Sequence, residues 1–328
     1  MPTYTGISSE AFRHPLDRQA EQALRTVPGF DLVARKFVEF LTERPQYVYQ
    51  MGNSIQVGPR QYASIYQIFR ECLRDLDIYP EPNLFVSQSP IVNAFALGQD
   101  FPFIVLNSGL LDLLTEAELR TVMAHELGHL KCGHTTLIQM AIWTTQVISG
   151  LADRTFGLSM LVSTSLVMAF YEWLRKAELS ADRAALLVTD DLDPILNGMM
   201  KIAGGSNRYV HELSATEFER QSTKYQSLDD DGLNQVYKFF LYNNLSAGVF
   251  LSHPFTVERV HFLKEWQTSA DYNQIRKGHY ARAGAEGAVN VSAQAADQPS
   301  TQPNSQVDEL RRQLDELQAE IDRLKREG

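Results

Sequence analysis

Residues 115–134 constrain this 328-residue chain more than any other stretch, because they contain His125-Glu126-Leu127-Gly128-His129 inside a run with helix signals. Thr115 with Glu118 three positions on has the form of a capping box, which starts a helix. Leu119, Val122, Met123 and Leu127 then recur at helical spacing and can bury one face. Residues four apart on a helix lie one turn apart on the same face. His125 and His129 can therefore point at one ion, and neutral imidazole is a good zinc ligand. Glu126, next to His125, is placed to accept a proton from a water that a metal has acidified. Gly128 leaves room on that helix for another element to approach closely.

A catalytic zinc needs a third protein ligand and keeps one position open. The extended histidine pattern would need a glycine at position 132 and a histidine at position 135. The chain has Cys132 and Thr135 there, with Gly133 and His134 displaced by one, so that class is excluded. His134 reads as an exposed helix-end residue interacting with the helix dipole. The remaining route is a glutamate on a later helix. Glu178 has Asp182 one turn away, a carboxylate able to hydrogen-bond a ligating histidine and fix its tautomer. Glu172 competes but lacks such a partner four residues on. Cys132 reads as a buried thiol rather than a ligand. Cys72 is the only other cysteine, so no disulfide framework is used, which favours a reducing compartment.

Around this helix the pattern is mostly helical. Residues 10–44 read as two helices, the first with Leu16, Ala20, Ala23 and Leu24 on one face. The second carries Leu32, Val33, Phe37, Phe40 and Leu41 and ends at Pro45. Tyr47-Val48-Tyr49-Gln50 and Ser54-Ile55-Gln56-Val57 flank Gly52-Asn53 in the manner of a hairpin. Residues 62–76 are helical again. From Asn83 short β-rich runs follow, Leu84-Phe85-Val86, residues 91–97 and Phe103-Ile104-Val105-Leu106, and lead directly into the metal helix. A strand beside the metal can hold an extended peptide by main-chain hydrogen bonds.

Two uncharged runs, 135–152 and 155–171, meet at Asp153-Arg154. Each lies at the lower limit of the roughly 17–25 residues that cross a bilayer. They read first as a buried or membrane-surface helical hairpin and second as inserted segments, with no Lys/Arg asymmetry to orient them. Residues 284–306 have linker composition. Val307, Leu310, Leu314, Leu317, Ile321 and Leu324 then form an a/d seam of coiled-coil spacing.

At this point the chain resembles the HtpX-like and CAAX-prenyl-protease-like zinc endopeptidases, which are gluzincins. The resemblance is carried by Val92-Asn93-Ala94-Phe95, by His125-Glu126-Leu127-Gly128-His129, by Glu178-Leu179-Ser180-Ala181-Asp182, and by Ser252-His253-Pro254 with Arg259. It implies that His125, His129 and Glu178 bind one zinc ion per chain and that Glu126 is the general base. It implies that Asp182 supports a ligand from behind. It further implies that Asn93, in the substrate-binding stretch with Ala94 and Phe95, and His253 bind the peptide or stabilise the transition state, with Arg259 supporting that end. The C-terminal seam and the N-terminus, where the first membrane helices of integral members are missing, depart from the family pattern.

The expectation is an α+β fold, mostly helical and gluzincin-type, with a small sheet beside the zinc helix. Its metallopeptidase domain would span 1–283, followed by a linker at 284–306 and a short coiled coil at 307–328. The expected partner is an unfolded or extended polypeptide, in protein quality control. Membrane association would run through 135–171 and self-association through 307–328. A net charge of −10 argues against nucleic acid. The N-terminus has no basic stretch followed by an apolar run, so the expected location is the cytoplasm, at most against the inner face of a membrane. Two alternatives stay open: a catalytically idle peptide-holding or chaperone-like module, and a coiled-coil scaffold with structural zinc, for which Cys132 is the nearby fourth ligand.

Overall fold

The structure, a computed structural model, describes residues 3–40, 44–150, 164–228, 234–235, 238, 241–244, 249–250 and 255–283. The linker, the coiled-coil seam and His253 lie outside these residues. Helix α1 (Pro15–Thr26) starts on a proline whose fixed φ suits a first turn, and the His14 imidazole accepts the Leu16 amide as its cap at 3.1 Å. Val27 ends it, and α2 (Phe30–Phe40) follows.

The hairpin expected around Gly52-Asn53 is instead a helix, α3 (Arg44–Asn53), leading into a two-residue strand β1 (Ile55–Gln56). Pro45 opens α3 rather than merely ending the helix before it. The half-buried or buried positions are Gln46, Tyr47, Gln50 and Ser54, a helical rather than alternating set. The Tyr47 ring stacks on Phe101 at 6.0 Å and meets Phe85 edge-on at 6.2 Å, so tertiary contacts override the strand preference of Tyr-Val-Tyr.

Helix α4 (Ala63–Asp75) precedes strands β2 (Asn83–Ser87), β3 (Ala94–Leu97) and β4 (Phe103–Asn107). The sheet order is β1-β2-β4-β3, with β2 and β4 parallel and the outer strands antiparallel. Strand β4 is buried throughout, as a central strand of β-branched and aromatic residues should be, and β3 is left at an edge. Short α5 (Ser108–Leu113) leads to α6 (Glu116–Lys131), the helix with both histidines. Helices α7 (His134–Gly150), α8 (Thr164–Thr189), α9 (Leu192–Gly204) and α10 (Ala215–Leu228) come next. A small antiparallel pair, Asn243–Asn244 with Val249–Phe250, precedes α11 (Thr256–Gln267) and α12 (Ala270–Arg276).

The main core joins the sheet to α4, α6, α9, α11 and the C-terminal half of α8. A second apolar cluster gathers Leu24, Phe30, Val33 and Phe37 against Leu137, Met140, Leu166, Phe170 and Trp173. The described parts of the two uncharged runs thus bury apolar faces against α1 and α2. Among the described residues no helix is long and apolar enough to cross a membrane. The N-terminal segment is clasped by residues near the end of the described chain. Ser8 N donates to Ala281 O at 2.9 Å, and Ala283 N donates to Gly6 O at 2.8 Å.

Candidate metal centre

The helix carrying the histidines is fixed at both ends. At its start the capping box is complete: Glu118 Oε2 accepts the Thr115 amide at 2.8 Å, and Thr115 Oγ1 accepts the Glu118 amide at 3.4 Å. Buried Lys201 on α9 adds a 2.7 Å bond to the same Glu118 oxygen. At its end Gly133 turns the chain at a φ of +70°. Between them Gly128 lies flush against α8. A Cβ there would sit 2.7 Å from Ala184 Cβ and 3.1 Å from Ala181 Cα. This close approach brings Glu178, one turn before Ala181 on α8, against both imidazoles.

His125 Nε2 and His129 Nε2 are 3.2 Å apart. Each is 3.3 Å from a Glu178 carboxylate oxygen. An ion bonded at about 2.0 Å in a tetrahedron separates its donors by about 3.3 Å, so the two imidazoles and the Glu178 carboxylate, which offers Oε2 to His125 and Oε1 to His129, fit zinc-like coordination. They form the one group among the described residues with metal-ligand chemistry and spacing. Neither Cys132, half-buried at the end of α6, nor Glu172 belongs to it. Glu172 is exposed and pairs with Arg175 at 2.6 Å.

Asp182 accepts from His125 Nδ1 at 3.0 Å, the support its position one turn after Glu178 suggested. Arg259, from α11, holds Asp182 through Nε at 2.8 Å and Nη2 at 2.6 Å. Burial alone would raise the Asp182 carboxyl, but the Arg259 guanidinium and His125 keep it below the usual carboxylate range. Burial likewise works against a charged His125, yet Asp182 and Glu178 outweigh it and push the imidazole up to about 10. At His129 burial dominates and pulls the imidazole down to about 4. Arg259 also reaches Glu178, with Nη1 3.5 Å from Oε2, so one guanidinium faces both carboxylates of the cluster.

His134 corrects the expectation made for it. It is 1% exposed, opens α7, and lies between His129 and Asp17. Its Nδ1 is 3.0 Å from His129 Nδ1, and its Nε2 is 3.1 Å from Asp17 Oδ2. Gly133 turns the chain so that the next residue folds back under the metal helix instead of projecting from its end. Sequence reasoning missed Asp17 altogether. One signal was present: Asp17 stands three and seven residues before Ala20 and Leu24, on the apolar face of α1.

A cleft of about 330 Å³ opens beside the cluster. His125, Glu126, Glu178, Asp182 and Arg259 line one side of it, and Val92, Asn93 and Ala94 from the sheet edge another. Leu110, Ile195, Met199 and Ile202 make its apolar wall. The Phe95 side chain is directed elsewhere: it packs with Phe85, Phe103 and Val105 on the opposite face of the sheet, as alternation along a strand requires.

A helix bearing two histidines a turn apart, with a glutamate between them in the cleft and a carboxylate closing the group from a later helix packed against it, is the construction of a metallopeptidase. The sequence model of Peptidase family M48 matches residues 59–267. The chain is 32% identical over 278 residues to plastoglobule-localized metallopeptidase 48, chloroplastic, of Arabidopsis thaliana, covering 84% of this chain and 77% of that protein. It is 26% identical over 249 residues to a protease HtpX homolog of Polynucleobacter necessarius, covering 69% of this chain and 81% of that protein. The chain belongs to peptidase family M48, the HtpX-like metallopeptidases, and is a metalloprotease.

Proposed function

We propose that this chain is a zinc-dependent endopeptidase acting on extended or unfolded polypeptide in protein quality control. One observation carries the reading. Two imidazole nitrogens 3.2 Å apart each meet one oxygen of the Glu178 carboxylate at 3.3 Å, beside a buried glutamate that lines an open cleft. His125, His129 and Glu178 would hold the ion. When bound, zinc supplies a lowered pKa to water and polarises a carbonyl oxygen.

The remaining chemistry belongs to the chain. Glu126 takes the proton of the attacking water and passes it to the leaving amine. Asp182, held by Arg259, keeps His125 Nε2 turned toward the ion. Edge strand β3, with Asn93 and Ala94, aligns the substrate backbone by strand addition. The apolar wall formed by Leu110, Ile195, Met199 and Ile202 accepts an apolar side chain of that substrate.

The test is Glu126→Gln, assayed on a denatured, fluorescently labelled protein with zinc content measured in parallel. Cleavage should fall by roughly 10²–10⁴-fold while zinc stays bound. Undiminished cleavage would remove Glu126 from the mechanism. Zinc retention without cleavage in the wild type would favour a peptide-holding module instead.

A further inference from the structure

The two ligating histidines are supported in different ways. His125 leans on a carboxylate directly, whereas behind His129 the structure places a second imidazole and then a carboxylate. That carboxylate, Asp17, is 0% exposed and surrounded by donors. Arg13 Nε approaches at 2.8 Å and Arg13 Nη2 at 3.1 Å, Ser180 Oγ at 2.7 Å and Trp173 Nε1 at 3.1 Å. His134 Nε2 completes the set at 3.1 Å. Buried, ionised and met only by donors, Asp17 requires a hydrogen on His134 Nε2, since a bare nitrogen there would set acceptor against acceptor.

One hydrogen lies between His134 Nδ1 and His129 Nδ1, and a His129 that ligates through Nε2 carries it, which leaves the lone pair on His134 Nδ1. The two Nδ1 atoms are 3.0 Å apart. The lone pair of His129 is then left on Nε2, the atom facing His125 and Glu178. The hydrogen positions required by Asp17 and by ligation at His129 agree, from α1 through the first residue of α7 to the metal helix.

From this geometry we infer that His134 and Asp17 are positioning residues that fix the tautomer and ring orientation of His129 for metal binding. The inference rests on the proposed ligand set. It extends the metal centre beyond the residues that match the family model, since Asp17 precedes residue 59. The amino-terminal helix is therefore a working part of the centre.

The test uses the full chain loaded with zinc and labelled with ¹⁵N-histidine. Long-range ¹H–¹⁵N spectra should show hydrogen on His129 Nδ1 and His134 Nε2, with His134 Nδ1 bare. Hydrogen on His134 Nδ1 would overturn the relay, and no substitution is needed to find it. Zinc affinity, measured by competition with a chromophoric chelator, adds a second readout. His134→Leu should weaken zinc by about 10–100-fold. His134→Gln, whose carbonyl can accept from His129 and whose amide can donate to Asp17, should restore most of the loss.

Wild-type affinity in folded His134→Leu would overturn the inference. So would a lowered Tm of that metal-free variant with the zinc affinity of its folded fraction unchanged, the signature of packing alone. Failure of the wild type to take up zinc would overturn the metal-centre reading and the relay with it.

Discussion

His14 caps α1 with an imidazole that is 7% exposed. Burial, reinforced by the charge of Arg183, holds it down at about 3 against an ordinary 6.5. The unfolded chain therefore takes up this proton first as pH falls, so stability from a neutral His14 is complete above 6.5 and is lost toward 3. His14→Asn keeps a capping acceptor and does not titrate. Denaturant unfolding in chelator across that window should show the variant's stability falling less steeply than that of the wild type, by roughly a few kcal/mol at the acid end. Parallel profiles would show that His14 is not buried neutral. Residues at this scale were unevenly legible in the sequence. His125, His129 and Glu126 are readable because one helix fixes their spacing, and Asp182 because it lies a turn from Glu178. His134 and Asp17 depend on two helices crossing far apart in the chain, which no local periodicity encodes.

The contact of α6 with α8 decides whether the ligands meet at all, and it rests on small side chains. With Ala184 Cβ only 2.7 Å from where a Gly128 Cβ would lie, Gly128→Ala must push the helices apart or twist one of them. Overpacking of this kind costs about 1–3 kcal/mol, outweighing the 0.5–1 kcal/mol that alanine gains over glycine in a helix. The variant should unfold at lower temperature and bind zinc more weakly, because Glu178 moves with α8. Unchanged Tm and unchanged affinity together would show that the interface yields freely. Helices α1, α2, α4 and α6 could be read from apolar spacing, and β2 and β4 from β-branched runs between turn residues. Helix α3 could not, since its aromatic alternation mimics a strand until Phe85 and Phe101 are known to lie beneath Tyr47. The two uncharged runs were ambiguous for a related reason. An apolar helix face looks the same whether α2 or lipid covers it, and only the cluster around Phe170 and Trp173 shows what meets the described parts.

Across the whole molecule the proposed ion would tie α6 to α8 and thereby bridge the sheet side to the helical side of the core. Ligands that bind only the folded state stabilise it by about 2.7 kcal/mol at a hundredfold excess over Kd. Stripping zinc with a chelator should lower Tm by about 5 °C or more, at roughly 2–4 °C per kcal/mol for a large domain. Re-addition should restore it, and a Tm indifferent to chelation would count against an ion shared between helices.

The centre draws on positions as far apart as Asp17 and Arg259, with His125, His134, Glu178 and Asp182 between them. A growing polypeptide therefore cannot assemble it piecemeal. While α11 is still inside the ribosome Asp182 has no guanidinium to hold it, and without α1 folded back His129 has no anchored neighbour. The full set of contacts thus forms only once α11 has been made and α1 has folded back.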